Sequence, residues 1–205
     1  MKDKIINGLK WFYRSYIWLG LVLLGLDIFT KQLMMHLPVN ANGHIAEWGF
    51  VNISYTLNEG AAFGMGTGNP VANRIIYLVV ASLISVGLGI YLVLKRKEMK
   101  IFIRASLMMV ITGAVGNMID RIFYGPLQGS DKIFFSGKVV DWIDFYWFWG
   151  YIFNIADCCI VIAAFMLIIY VIVNEVKDFR ERHKEEVSDE KILSKSEQEN
   201  KEKEK

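Results

Sequence analysis

The chain has 205 residues, 54% of them hydrophobic, and a mean hydropathy of +0.32, which excludes an ordinary soluble domain, a large soluble enzyme and a disordered chain, and points to lipid. The net charge of +2 averages two unlike parts, because residues 174–205 hold 20 of the 44 charged residues, so it gives no sign of a nucleic-acid partner. Two adjacent cysteines, Cys158 and Cys159, exclude a disulfide-stapled secreted mini-protein.

A membrane span needs about 20 mostly apolar residues. The first runs from about Trp11 to Met35. Basic residues precede it, as in a signal peptide, but no small-x-small cleavage site follows and Asp27 and Lys31 lie near its end, so a retained helix is expected. Residues 50–57 (FVNISYTL) alternate partly and favour a strand, followed by the Gly-rich turn NEGAAFGMGTGNP. Two more spans follow, about Ile75 to Leu94 and Ile101 to about Ile122. Residues 139–149 (VVDWIDFYWFW) are too short and too acidic to span. Their rings suit the headgroup zone, either as an aromatic belt or as a platform at the membrane surface. The fourth span runs from about Tyr151 to Val173. The expected fold is thus an all-α membrane protein, with a four-span domain over residues 1–173 and a charged tail over 174–205.

Orientation follows from Lys and Arg. The N-terminal segment holds four (Lys2, Lys4, Lys10 and Arg14), Lys95 to Arg104 holds five, and residues 174–184 hold four. Residues 36–72 have none, and 123–150 only Lys132 and Lys138. The positive-inside rule then puts both termini in the cytoplasm and the two poorer segments outside.

Ionisable residues within spans are costly and default to functional candidates. Asp27 and Lys31 come late in the first span, and Asn117, Asp120 and Arg121 late in the third. Asn154 and Asp157 come early in the fourth. Given the topology, all lie in one layer near the outer surface. Asp27 and Lys31, at i,i+4 with the acid first, suit an ion pair. Asn117–Asp120 and Asn154–Asp157 are i,i+3 neighbours, so each Asn can lie beside its Asp and fix its rotamer. Lys31 and Arg121 are cationic partners for Asp27 and Asp120, which argues that those acids are scaffolding. Asp157 has no neighbouring cation in its helix. If the loop carrying Asp141 folds back, Asp141 could meet Asp157, and the pair would share a proton, one acting as base and the other as acid. Spacing alone does not choose this pair over Asp144 or Asp120.

Other chemistries have less support. His36, His44 and His183 are scattered, which is unlike a zinc site. No Ser/His/Asp arrangement stands out. Cys158–Cys159 would form only a strained disulfide and reads as packing thiols.

Five motifs occur in order: DIFTK (Asp27–Lys31), NEGAAFG (Asn58–Gly64), GAVGNMIDR (Gly113–Arg121), VVDWIDF (Val139–Phe145) and FNIAD (Phe153–Asp157). On these the chain, over roughly residues 15–173, resembles lipoprotein signal peptidase, the bacterial signal peptidase II family of membrane aspartic peptidases. The resemblance implies a catalytic pair, Asp141 and Asp157. It makes Asp27, Lys31, Asn58, Gly60, Asn117, Asp120, Arg121 and Asn154 supporting or substrate-contacting positions. It implies cleavage of a diacylglyceryl-modified prolipoprotein just before the lipidated Cys, without metal or organic cofactor. Residues 37–72 would form a small extracytoplasmic β-rich cradle and a flap. Membrane lipid and the prolipoprotein are the implied partners, nucleic acid is not, and a monomer is expected. One departure is the stretch FYGPLQGSDKIFFSGK between Arg121 and Val139, which reads as a surface loop and leaves Asp144 as the alternative to Asp141. The rival from another class is a small transporter using Asp27, Asp120 and Asp157. Against it, nothing ionisable continues through the cytoplasmic half of the spans. A thiol oxidoreductase would rest on the two cysteines alone.

Overall fold

The computed structural model describes residues 2–59, 70–124, 137–145 and 150–203. Among them, four helices are long and apolar enough to cross a membrane, with stretches at Ile17–His36, Val71–Lys95, Ile101–Phe123 and Ile155–Lys184.

Helix α1 (Lys2–Ser15) is separate from α2 (Ile17–His36). The junction is Tyr16, whose left-handed φ of 62° ends one helix and redirects the next. The expected span from Trp11 is therefore divided, although its apolar pattern runs through the break. Strand β1 (His44–Glu47) and strand β2 (Asn52–Asn58) follow, then α3 (Pro70–Lys95) and α4 (Ile101–Ile119). The end of α4 widens into a π turn over Asp120–Tyr124. Strand β3 (Val139–Asp144), the short β4 (Ile152–Phe153) and the long α5 (Ile155–Lys203) complete the chain.

The four strands form one antiparallel sheet in the order β1-β2-β3-β4. Half of the segment 139–149, expected as an aromatic belt or a platform at the membrane surface, is thus a strand, its Val139, Val140 and Ile143 being β-branched. Asn58 faces Val139 and Thr56 faces Asp141, with a shift of register between Ile53 and Thr56. Val139 and Val140 are buried.

Chain Met1–Ala164 forms one compact unit and Phe165–Lys205 a second. In the first, α4 packs against both α2 and α3. Glycine makes the close approaches possible. A Cβ on Gly116 would stand 2.7 Å from Asp27 Oδ2 and 3.0 Å from the Ala156 Cβ, and one on Gly113 would collide with the Ala156 carbonyl and Ile160. The outward faces are apolar, with Leu21, Val22 and Phe29 on α2 and Val79, Leu83 and Val86 on α3 exposed. The interior is polar instead: Lys31, Asn154, Asp27, Asp120 and Ser106 are among its largest fully buried side chains. Lipid is the solvent that favours this inversion, since it accepts the apolar faces and not the charges. The second unit is helical through Lys203, with Asn174 bonding back to the Tyr170 carbonyl and Lys177 facing Glu181.

Candidate active site

The polar layer assembles where the ends of α2 and α4 meet the start of α5 and the sheet. Lys31 is its hub. Its ammonium lies 2.8 Å from Asp27 Oδ2, 2.9 Å from Asp120 Oδ2 and 3.2 Å from Asn117 Oδ1, which uses all three of its donors. Sequence spacing gave Asp27 and Asp120 separate cations; one lysine meets both. Asp27 and Asp120 also hold backbone. Asp27 Oδ1 accepts the Ala156 N–H at 2.9 Å, capping the first turn of α5. Asp120 Oδ2 accepts the Val140 N–H at 3.2 Å, fixing the residue before Asp141. Arg121 donates to the Asn117 carbonyl at 2.9 Å and lies over the Tyr77 ring, 5.4 Å from its centre.

Lys31 has only donors, so the oxygen of the Asn117 amide turns toward it and the nitrogen turns away. That nitrogen donates to Asp157 Oδ1 at 2.7 Å. Asn117 therefore serves Asp157, on another helix, and its i,i+3 neighbour Asp120 shares only the lysine with it. Asn154 is fixed in the same way. Its nitrogen donates to Asn117 Oδ1 at 3.0 Å and to Asp141 Oδ1 at 2.7 Å, while its oxygen accepts the Asp157 N–H at 2.9 Å. Asp157 Oδ2 in turn accepts the Asn154 N–H at 3.3 Å. This reciprocal pair is a capping box built from Asn and Asp, and it starts α5.

Asp141 receives a second amide, from Asn58 Nδ2 at 2.9 Å to its Oδ2. Burial, with the charge of Asp157 adding to it, pushes its carboxyl up to about 7 despite the two amide bonds and Lys31, which act the other way. Lys138, the nearest base to Asp141 in sequence, pairs with Glu59 across the end of the β2–β3 ladder and holds that carboxyl below its usual range. Asp144 stands apart from this network. Ser54 donates to its Oδ2 at 2.8 Å, and His44 Nδ1 lies 2.7 Å from the Ser54 oxygen. Sequence reading missed this Ser/His/Asp cluster, whose signal is the cross-strand pairing of His44 with Ser54. The serine gives its proton to the carboxylate and is buried, so it is not arranged as a nucleophile with a histidine base.

Nine of the ten site residues expected from sequence thus fall into one connected set. The tenth, Gly60, lies outside the described residues, as do the Gly-rich turn, the inserted loop over 125–136 and the aromatics 146–149. Both cysteines are free thiols. Among the described residues, no group of three or more His, Cys, Asp and Glu is arranged to hold a metal ion.

The chain matches the family model described as Signal peptidase (SPase) II over residues 19–173. A lipoprotein signal peptidase of Clostridioides difficile (strain 630) is 35% identical over 162 residues, covering 79% of this chain and 97% of the relative. One from Syntrophus aciditrophicus (strain SB) is 34% identical over 154 residues, 73% of this chain and 86% of the relative. The fold is also similar to a solved bacterial membrane enzyme, with a TM-score of 0.61 over 78% of this chain and 89% of that one at 24% identity.

Proposed function

Since the chain belongs to the signal peptidase II family, a family of multi-pass membrane peptidases that process lipoproteins, we propose that it is an aspartic endopeptidase that cuts prolipoproteins just before the diacylglyceryl-modified Cys, with Asp141 and Asp157 as the catalytic pair. One observation carries this reading. Asn154 holds a carboxylate from a strand and a carboxylate from a helix at once, by its 2.7 Å bond to Asp141 and its capping of Asp157. Lys31 takes Asp27 and Asp120 as its ion-pair partners, which leaves Asp141 and Asp157 to be held by neutral amides.

The pair shares one proton. Burial pushes the Asp141 carboxyl up to about 7, so a proton stays on the pair near neutral pH; in this reading Asp141 is the acid and Asp157 the base. A water between them loses a proton to Asp157 as its oxygen bonds to the scissile carbonyl carbon, while Asp141 gives its proton to the carbonyl oxygen. On collapse of the resulting diol the C–N bond breaks, the amide nitrogen takes the proton from Asp157, and one hydroxyl returns its proton to Asp141 as the C=O re-forms, which leaves the pair with its one shared proton. Lys31, Asp27, Asp120, Asn117, Asn154 and Arg121 fix the helix ends and the amide orientations, and Asn58 holds the far oxygen of Asp141.

Orientation supports the substrate. With both termini in the cytoplasm, the sheet forms an extracytoplasmic cradle, and the pair lies near the outer surface of the cytoplasmic membrane. A signal helix ends at that depth, and its acyl chains remain in lipid. The four-span peptidase domain is residues 1–173, with 174–205 a cytoplasmic tail, and the protein acts as a monomer. The test is cleavage in detergent of a diacylglyceryl-modified prolipoprotein beside its unmodified form. Mass analysis should find a new N-terminus at the modified Cys alone. Equal cleavage of both forms, or a cut elsewhere, overturns the substrate assignment.

A further inference from the structure

Helix α1 carries a surface that the peptidase reading does not use. Ile5 and Phe12 centre an apolar side at helical spacing, with Ile6 and Tyr13 at its edge, where Lys10 is the i,i+4 neighbour of Ile6; Asn7 lies opposite, with Trp11 beside it under Arg96. The apolar members are uncovered, at 57% exposure for Ile5, 45% for Ile6 and 70% for Tyr13. The segment's sequence holds Lys2, Lys4, Lys10 and Arg14 against one acid, Asp3.

The turn at Tyr16 explains why this face is separate from the span. A left-handed residue there takes α1 off the axis of α2, and aromatic contacts hold the new direction. Tyr13 stacks on Trp18 at 5.9 Å between ring centres, and the Trp18 indole donates to the Tyr13 carbonyl at 3.1 Å. Arg96 lies over the Trp11 ring at 5.4 Å, and Arg104 over the Tyr16 ring at 5.9 Å. Both arginines come from the basic stretch around the α3–α4 connection, so α1 lies at the end of the spans where Lys95, Arg96, Lys97, Lys100 and Arg104 gather. That end is opposite the Asp27–Lys31–Asp120 cluster, which sits late in α2 and α4.

We infer that α1 is an interfacial helix, its Ile5–Ile6–Phe12–Tyr13 face sunk among the acyl chains at the edge of the leaflet and its basic residues on anionic headgroups. The charge balance selects anionic lipid as the occupant; continuity with α2 holds the helix near the bilayer, and attraction to anionic headgroups decides whether its apolar face sinks. A basic, aromatic-rimmed amphipathic segment with low overall hydrophobicity lies in the interface plane and does not span.

The test uses the full chain, with Cys158→Ser and Cys159→Ser as background and single cysteines introduced as Ile5→Cys, Phe12→Cys or Asn7→Cys for a fluorescent label. The protein is reconstituted in phosphatidylcholine vesicles with or without phosphatidylglycerol, and quenching by brominated acyl chains is compared with quenching by aqueous iodide. In the anionic vesicles, labels at 5 and 12 should be quenched by the brominated chains and lose iodide quenching, and the label at 7 should do the reverse. Adding Lys2→Glu, Lys4→Glu and Arg14→Glu should abolish the contrast between the two faces. Equal iodide access at all three positions overturns the inference. So does full contrast without phosphatidylglycerol, which would remove the role of charge. Contrast that appears only at high protein density, with energy transfer between copies, would assign the face to a second copy and also overturn it.

Discussion

Asn154 and Asp157 hold each other at both ends, the Asn154 side-chain oxygen accepting the Asp157 N–H at 2.9 Å and Asp157 Oδ2 accepting the Asn154 N–H at 3.3 Å. The box starts α5 and fixes the carboxylate proposed as base. The same asparagine uses its remaining amide hydrogens on Asp141 and Asn117. Asn154→Ala should therefore cost about 1 kcal/mol of stability as a lost cap, and much more in rate, about a hundredfold in kcat. Thermal unfolding in detergent beside turnover separates the two. A loss of stability with unchanged kcat would mean the residue only caps.

The acid limb and the alkaline limb can be told apart at Asp141. Its carboxyl sits at about 7 in the folded protein against an ordinary 3.8. The native state thus binds a proton that the unfolded chain has released. Stability from this group is fully present below about 4 and is lost as pH rises through about 7. Activity should fall over the same alkaline range, because the pair then loses its shared proton. The Asn58 amide favours the ionised form, so Asn58→Leu should move the alkaline limb to higher pH in the kcat profile.

Lys31 is fully buried between Asp27 and Asp120. Lys31→Met leaves two carboxylates uncompensated inside the protein and should destabilise it by about 3–5 kcal/mol, enough to prevent recovery of folded enzyme. Adding Asp27→Asn and Asp120→Asn should restore folding in part. If the triple variant is no more stable than the single one, charge burial is not the cause.

Gly113 and Gly116 bring α4 within reach of α5, so that Asn117 meets Asp157. Gly113→Ala puts a methyl against the Ala156 carbonyl, which is backbone and cannot move aside. It should cost about 1–3 kcal/mol and lower kcat. Gly87→Ala, in α3 with open space around its Cα, should change neither.

Ser54 couples His44 to Asp144 across β1, β2 and β3. Ser54→Ala leaves the buried Asp144 carboxylate without its donor and should cost about 1–3 kcal/mol, read in the unfolding of the sheet by hydrogen exchange, with cleavage retained.

The polar layer was legible in the sequence because charge is rare in spans: Asp27, Lys31, Asn117, Asp120, Asn154 and Asp157 stand out from any apolar background. Their partners were not legible. Helical spacing pairs Asn117 with Asp120, but the choice among acceptors is made by Lys31, which arrives from α2 and turns the amide toward itself. Strand β2 was readable from its alternation. Strand β3 was not, because burial on both faces at Val139, Val140 and Asp141 erases the period of two. The break at Tyr16 left no mark either, since Trp11, Phe12 and Tyr13 are as apolar as the span they precede.

The central claim is the assignment of Asp141 and Asp157, and the most direct measurement is cleavage of the lipid-modified substrate by Asp141→Asn, Asp157→Asn and Asp144→Asn beside wild type, with each variant's unfolding recorded. Asn keeps the size of the side chain and removes its acid–base chemistry. The first two should fold and lose about a thousandfold or more in kcat, while Asp144→Asn stays within about tenfold of wild type. Activity surviving in Asp141→Asn and lost in Asp144→Asn would move the catalytic acid along β3. Full activity in both Asp141→Asn and Asp157→Asn would contradict the account.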